Sequence, residues 1–281
     1  MNTTSTTSPA SLFRRLAALT VLACVASSAH ATIIASDTFS ITDTRPVGST
    51  IIGSTTEIGG LAWNGGNAAW VTAGDTTNGY AARSGSSAAR SLALPFSFSN
   101  YTEDGDVATI SVSLKSSKGS NSSYWFLIAF GNSATGGNPT GNGLIYLRLN
   151  PYDDAWGLYS KGTLLTYADT TPVSGSLSAA LGTSYDEGSF YTYSLSYDNA
   201  TNTVTDVTIN GTSVVSSYVL SASPGAITTA SFFGQYVNAA TQLDSFTLSV
   251  NPTAVPEPAA YALIAGLASF GFLWLRRRKR A

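Results

Sequence analysis

The sequence predicts an all-β protein, a two-sheet antiparallel sandwich of the jelly-roll kind, followed by one C-terminal transmembrane helix. Apolar residues alternate with Ser and Thr at residues 110–114, 191–197 and 246–250. This period of two indicates strands that are packed on one face and wet on the other. Turn residues recur between such segments, and no run of helix formers with a 3.6-residue period precedes Ala259. Two sheets that bury each other's apolar faces satisfy both observations.

The chain begins with a secretory signal peptide, which we place at residues 1–31. A charged region, a short apolar region and a small-residue cleavage site follow one another, as export by the Sec translocon and removal by signal peptidase require. These parts are Arg14 with Arg15, residues 16–26, and Ala29-His30-Ala31. The mature chain is therefore expected to start near Thr32.

Residues 32–250 carry the predicted sandwich. Asn210-Gly211 suits a type I′ hairpin because both residues tolerate positive φ, and it predicts a three-stranded meander over residues 191–215. The glycine-rich stretch 131–143 is predicted to be a long surface loop between two strands.

The composition of the mature chain excludes several kinds of chemistry. The single His30 and the single Cys24 both lie in the signal peptide. Catalysis by Ser-His-Asp or Cys-His groups is thus excluded, and so are disulfides, while a zinc site is strongly disfavoured. The fold must be held by its core alone.

The charge of the mature chain is strongly acidic. Between Thr32 and Ala254 there are seven Lys and Arg against fifteen Asp and Glu, a net charge of −8. Such a surface repels phosphate backbones, so nucleic acid is not an expected partner, and divalent cations are favoured instead.

Three segments end the chain in a fixed order. A linker at 251–258 contains Pro256-Glu257-Pro258, whose prolines prevent a helix from extending backward. An apolar run at 259–275, roughly 25 Å long as a helix, is just able to span a bilayer. The tail 276–281 is basic and is expected to stay cytoplasmic. The key residues are Val255, Pro256, Glu257 and Pro258 in the linker, and Arg276, Arg277, Arg278, Lys279 and Arg280 in the tail.

This order resembles the PEP-CTERM sorting signal of Gram-negative bacteria. The resemblance implies a temporary inner-membrane anchor that an exosortase-type peptidase cuts near the motif, releasing the protein to the cell surface or beyond it. Proteins with this tail generally accompany exopolysaccharide production. The alternative is a permanent single-span anchor, for which the Pro256-Glu257-Pro258 sequence is not needed.

Residues 35–39, 59–63 and 242–248 resemble segments of concanavalin A-like or laminin-G-like jelly rolls. The resemblance implies that an opening Asp-x-Phe strand lies beside a closing strand of apolar-Asp-x-apolar pattern. A sandwich of different topology is the alternative.

Two kinds of binding residue are candidates. Trp156, with Tyr152 in the loop before it, offers rings for stacking on sugars, although aromatic residues also fill sandwich cores. Acidic residues in two loops offer oxygen ligands for calcium, with solvated turn residues as the alternative. These acidic residues are Glu103, Asp104 and Asp106 in the first loop, and Asp153 and Asp154 in the second.

The function expected from these features is non-enzymatic. We expect an exported surface or extracellular-matrix protein with a structural or adhesive role in exopolysaccharide or biofilm matrix. A carbohydrate-binding, lectin-like module is the first alternative. A glycan hydrolase is the second, and it is disfavoured because the glutamates before Val255, namely Glu57, Glu103 and Glu187, are scattered rather than placed along one strand.

Overall fold

The computed structural model describes residues 31–65, 70–83, 90–101, 107–132, 143–235 and 241–251, and these residues form two stacked antiparallel sheets. The predicted two-sheet sandwich is therefore confirmed. All the strands lie in one compact unit, Ala31–Pro252. They are β1 (Thr32–Asp37), β2 (Trp70–Gly74), β3 (Gly79–Arg83), β4 (Arg90–Pro95), β5 (Val107–Lys115), β6 (Trp125–Gly131), β7 (Gly143–Asn150), β8 (Ala155–Ser160), β9 (Thr163–Leu164), β10 (Ser174–Ser176), β11 (Tyr191–Asp198), β12 (Thr203–Ile209), β13 (Thr212–Val219), β14 (Thr229–Gln235) and β15 (Gln242–Asn251).

Among the described residues, two short helices interrupt the strands: α1 (Phe98–Tyr101) and α2 (Leu177–Leu181). Each has about one turn, so neither can display the 3.6-residue period by which a helix is recognised in a sequence. Ser176 caps the N-terminus of α2, and its hydroxyl accepts a hydrogen bond from Ala179 N. Gly182 caps the C-terminus in the left-handed region, where a residue without a Cβ is favoured.

The first sheet has the strand order β13-β12-β11-β5-β15-β3-β2, with β1 also paired to β15. Strands β11, β12 and β13 form the predicted meander, and the turn between the last two places Asn210 at φ 50° and Gly211 at φ 80°. Both central residues thus have the positive φ of a type I′ turn. The second sheet has the order β10-β8-β7-β6-β14-β4, with β9 paired to β8.

The first and last strands lie side by side, as the resemblance to jelly rolls implied. Strand β1 runs antiparallel to β15, with Asp37 opposite Phe246 and Thr32 opposite Val250. The N-terminal and C-terminal strands of the domain thus belong to the same sheet.

Aromatic rings fill much of the space between the sheets. Trp63 and Trp70 are completely buried. The Trp63 ring lies 5.1 Å from that of Phe246 in an edge-on arrangement, and the Trp70 ring lies 5.5 Å from that of Phe232. Such pairs stabilise a core beyond the apolar area that they bury, which suits a domain without disulfides.

Candidate binding surfaces

Several sequence-predicted residues lie outside the described residues. They are Ala29 of the cleavage site, Glu103, Asp104 and Asp106 of the first acidic loop, Val255 to Pro258 of the sorting motif, and the basic residues Arg276 to Arg280. The predicted transmembrane segment 259–275 lies outside them as well. Ala31 is described and is exposed.

The second acidic loop is a turn between β7 and β8, and its carboxylates are engaged there. Asp154 accepts hydrogen bonds from Ser176 Oγ at 2.6 Å, from Ser178 Oγ at 2.7 Å and from Ser178 N at 2.8 Å. Burial acts to raise the pKa of Asp154, but these hydrogen bonds and the charge of Lys118 outweigh it and lower the pKa. Asp154 therefore holds the start of α2.

Asp153 completes the same turn. It accepts a hydrogen bond from Asn150 Nδ2 at 2.6 Å, and its own N–H donates to Asn150 Oδ1. Across the described ranges, no three His, Cys, Asp or Glu side chains are grouped so that they could hold a metal ion. The geometry of this loop is thus that of a hydrogen-bonded turn.

The two aromatic candidates are placed differently. Trp156 is 8 % exposed and packs in the main core between the sheets. Its ring is therefore largely covered by neighbouring core side chains. Tyr152, on the turn after β7, is 49 % exposed and stays available at the surface.

A second apolar cluster lies on the face of the second sheet that points away from the core. Strand β6 is buried along its whole length: Phe126, Ile128 and Phe130 join the main core, and the alternate residues join this cluster. We call it the aromatic face. Its members are Trp125, Leu127, Ala129, Tyr146 and Phe233, with Tyr159 packed against them.

Arg148 lies on the aromatic face. Its guanidinium carbon is 4.6 Å from the centre of the Trp125 ring and 6.0 Å from that of Tyr159. The rings of Tyr146 and Tyr159 are stacked in parallel, 5.1 Å apart. Within the described part of the chain, no carboxylate forms an ion pair with Arg148.

Two further polar groups belong to the aromatic face. Gln235 is paired with Trp125 across β14 and β6, and its buried Oε1 has no hydrogen-bond partner among the described residues. Burial and the neighbouring Tyr159 raise the pKa of Tyr146 to about 12, opposed by the charge of Arg148. Tyr146 thus keeps its hydroxyl proton at physiological pH.

Sequence reasoning did not find this cluster. Trp125 stands in a continuous apolar run, which indicates a strand buried on both faces but does not say what covers the second face. The one available signal was Arg148, a charged residue between the apolar Leu147 and Leu149.

The outer face of the first sheet is covered by hydroxyl groups, as the Ser and Thr alternation predicted. One row crosses six strands through residues that are directly paired. It consists of Ser213, Thr208, Ser194, Ser111, Thr247 and Ser36. Neighbouring hydroxyls bond to each other, for example Ser36 with Thr247 at 3.2 Å. We call this surface the hydroxyl face.

Comparison with known proteins supports the predicted sorting signal at the C-terminus of the chain. Residues 254–279 match the PEP-CTERM protein-sorting motif, so the chain carries this motif and the predicted sorting signal is confirmed. A PEP-CTERM tail implies an exported protein. No curated protein matches the chain. In the part that the structure describes, no helix has the length and apolar character needed to cross a membrane.

Solved structures with a similar arrangement include proteins that act on or recognise carbohydrates. The potassium-bound carbohydrate recognition domain of Emp46p has a TM-score of 0.45 and 14 % identity, over 72 % of this chain and 95 % of that chain. A carbohydrate esterase from Shiga toxin-encoding bacteriophage phi24B has a TM-score of 0.44 and 14 % identity, over 79 % and 100 %. Endo-1,3-beta-glucanase from Streptomyces sioyaensis has a TM-score of 0.43 and 10 % identity, over 81 % and 99 %.

Proposed function

We propose that this chain is a structural and adhesive protein of the cell surface or extracellular matrix, and that it adheres to exopolysaccharide through the aromatic face. The observation that carries the adhesive role is the guanidinium of Arg148, held over the rings of Trp125 and Tyr159 without a carboxylate partner among the described residues.

The chemistry of this face suits a saccharide. A guanidinium carries five N–H donors in a rigid plane and accepts nothing, so it pairs with the hydroxyl or carboxylate oxygens of a sugar. Aromatic rings beneath it hold the guanidinium by cation–π attraction and limit its motion.

The residues of the aromatic face differ in exposure and therefore in the role that each can play. Trp125 is 7 % exposed and Phe233 is 2 % exposed, so these rings form the base of the face. Arg148 and Tyr159 are half-buried and carry the accessible polar and aromatic edges. Contact with a polymer would therefore centre on these two side chains.

Export and sorting would bring this domain to the cell surface, where exopolysaccharide is its proposed partner. We propose that an exosortase-type peptidase recognises Glu257 and its flanking prolines while the tail holds the chain in the inner membrane with its C-terminus in the cytoplasm. Cleavage would then release the domain to the cell surface or the medium.

The adhesive role is tested by Arg148→Gln, which removes the charge and the planar donors but keeps a polar side chain. We expect retention on the exopolysaccharide of the host to fall about tenfold, measured by co-sedimentation. Lys161→Gln is the matched control, because Lys161 is an exposed cation on the turn after β8. Equal retention of wild type and both variants, all with the same melting temperature, would overturn the proposal.

A carbohydrate-recognition module differs from a purely structural protein in selectivity. Wild-type protein on a glycan array would show a saturable preference in the first case and none in the second. Whichever result is found, the adhesive role also requires that Arg148→Gln lowers retention on the polysaccharide.

The sorting pathway is tested by the intact mass of protein recovered from the host surface or medium. We expect a chain that starts near Thr32 and ends near Val255 to Pro258. A recovered chain that retains residues 259–281 would contradict release and indicate a permanent anchor.

A further inference from the structure

A polar groove of about 480 Å³ lies between residues 40–45 and 53–57. It is distinct from the aromatic face, since these residues flank β1 of the first sheet. Six residues that carry a hydroxyl group line it: Ser40, Thr42, Thr44, Ser54, Thr55 and Thr56. The hydroxyls of Ser54 and Thr56 are bonded to the backbone. Arg45 and Glu57 supply its charged groups.

The guanidinium of Arg45 is fixed in place from beneath. Its Nη1 and Nη2 donate to the two carboxylate oxygens of Asp37 at 2.7 and 3.1 Å, and Nη2 also donates to Thr55 O. Asp37 is completely buried and accepts further hydrogen bonds from Trp63 Nε1 and Phe39 N, each at 2.7 Å. The charge of Arg45 is therefore balanced, and its position is set before any ligand arrives.

Glu57 faces Arg45 across a gap. Its Oε1 lies 3.9 Å from Arg45 Nη1, too far for a direct hydrogen bond. Glu57 is itself held by Ser40 N at 2.7 Å and by the N and Oγ1 of Thr38. Burial acts to raise the pKa of Glu57, but these hydrogen bonds outweigh it and lower the pKa, so the carboxylate is charged at neutral pH.

We infer that this groove binds one ring of a neutral saccharide. A sugar hydroxyl between Arg45 Nη1 and Glu57 Oε1 accepts a hydrogen bond from the first and donates one to the second. A spacing beyond direct hydrogen-bond range is suited to such a bridging oxygen. The hydroxyls of Ser40, Thr42 and Thr44, which bond to other side-chain hydroxyls, then exchange these bonds for bonds to the remaining sugar hydroxyls.

Other ligand classes fit the groove less well. An anion is repelled by Glu57 and gains little from Arg45, whose charge Asp37 already balances. A cation is repelled by Arg45, 3.9 Å from the one carboxylate in the lining. A neutral ligand with several hydroxyls is the class that uses both charged groups at once.

The groove also gives a physical basis for a matrix role, in a step that rests on the proposed function. With one saccharide contact beside β1 and another on the outer face of the second sheet, a single domain could hold two polysaccharide chains. Two weak sites on one domain bind a polymer network far more tightly than either alone.

The test uses the exported protein titrated with glucose, galactose, mannose and their neutral disaccharides, followed by isothermal calorimetry and ligand-observed NMR. We expect saturable binding of one ring per protein. Glu57→Gln should weaken it about tenfold or more, because the acceptor for the bridging hydroxyl loses its charge. Glu187→Gln, a change at an exposed glutamate elsewhere, should leave it unchanged.

A second variant covers the case in which Glu57→Gln fails to fold. Thr44→Val removes one wall hydroxyl, keeps the shape of the side chain and leaves the pair of Arg45 and Asp37 in place, and it should also weaken binding. The inference is overturned if wild type binds none of these sugars saturably, or if both groove variants bind as tightly as wild type.

The outcomes separate this inference from the proposed function. Sugar binding that Arg148→Gln abolishes and Glu57→Gln leaves intact would place the ring on the aromatic face and overturn the groove alone. Sugar binding that depends on Glu57, together with polysaccharide retention that ignores Arg148, would overturn the aromatic face alone.

Discussion

At the scale of single residues, the buried carboxylate of Asp37 depends on its donors. Removing a buried carboxylate from water is unfavourable unless hydrogen bonds replace the lost solvent. Arg45 supplies two of these bonds, and Trp63 supplies one from the indole N–H. Each donor should therefore contribute measurably to the free energy of unfolding.

Trp63→Phe is expected to lower the free energy of unfolding more than Trp70→Phe, by about 1–3 kcal/mol, because it alone removes a hydrogen bond to a buried charge. Both indoles are completely buried, and Trp70 Nε1 has no hydrogen-bond partner among the described residues. The pair is thus matched in lost volume. Urea unfolding of both variants provides the measurement, and equal losses would contradict the role given to the Trp63 N–H.

These residue contacts could not be predicted from the sequence. Arg45 is 8 residues and Trp63 is 26 residues from Asp37 along the chain, and these separations follow no period. Arg148 and Trp125 meet because β6 and β7 pair in one register, which composition does not fix. Trp156 was equally ambiguous, because the loop before it says nothing about the side to which its ring points.

At the scale of elements, the local patterns were sufficient. The alternation at 110–114 predicted which side chains of β5 are buried, because a half-buried strand admits only one register against its core. Asn210-Gly211 predicted its hairpin because the type I′ turn needs positive φ at both central residues. The one-turn helices escaped notice because each is shorter than the period that reveals a helix.

The β12–β13 hairpin offers a test of the turn. Gly211 has φ 80°, and a Cβ there would meet no other atom within 4 Å. Gly211→Ala should thus reduce the free energy of unfolding by about 1 kcal/mol through backbone strain alone. The melting temperature should fall accordingly. Gly211→Asn is the control, because asparagine tolerates the positive φ that this turn position requires. An unchanged melting temperature for Gly211→Ala would argue against the type I′ turn.

The turn at Asp153 and Asp154 is expected to be stable without calcium, since Ser176 and Ser178 already engage the carboxylate of Asp154. Chelation with EDTA should leave the melting temperature unchanged. Asp154→Ala should reduce the free energy of unfolding by about 1–2 kcal/mol, and so lower the melting temperature, because α2 loses the carboxylate that accepts from Ser178 N. A clear drop on chelation that calcium restores would overturn this account and support the acidic loops as a metal site.

At the scale of the whole molecule, stability should fall in acid. Hydrogen bonds lower the pKa values of Glu57, Asp75, Asp154, Asp169 and Asp186 below those of ordinary carboxyl groups. A lowered pKa contributes stability that is present above the ordinary value and is lost as the pH falls through the folded one. Burial raises the pKa of Asp37, against its hydrogen bonds, so this carboxyl group contributes with the opposite sign.

The melting temperature should therefore decrease as the pH is lowered from about 5 to about 2, where these groups take up protons. Thermal unfolding followed by circular dichroism measures it. Glu57→Gln should flatten part of the curve, since the amide does not titrate. A melting temperature that rises as the pH is lowered would mean that the raised pKa of Asp37 outweighs the lowered pKa values of the other carboxyl groups.

The pairing of β1 with β15 has a mechanical consequence. Strand β15 leads directly to the residues of the sorting tail, and it pairs with β5 along one side and with β1 and β3 along the other. If the tail anchors the chain, a pull on the tail enters the domain at the C-terminal end of this strand. Its ladder bonds lie perpendicular to the strand, so the load is shared among many of them in shear instead of breaking them one by one. The sheet is thus built to bear tension at the end by which the protein would be tethered.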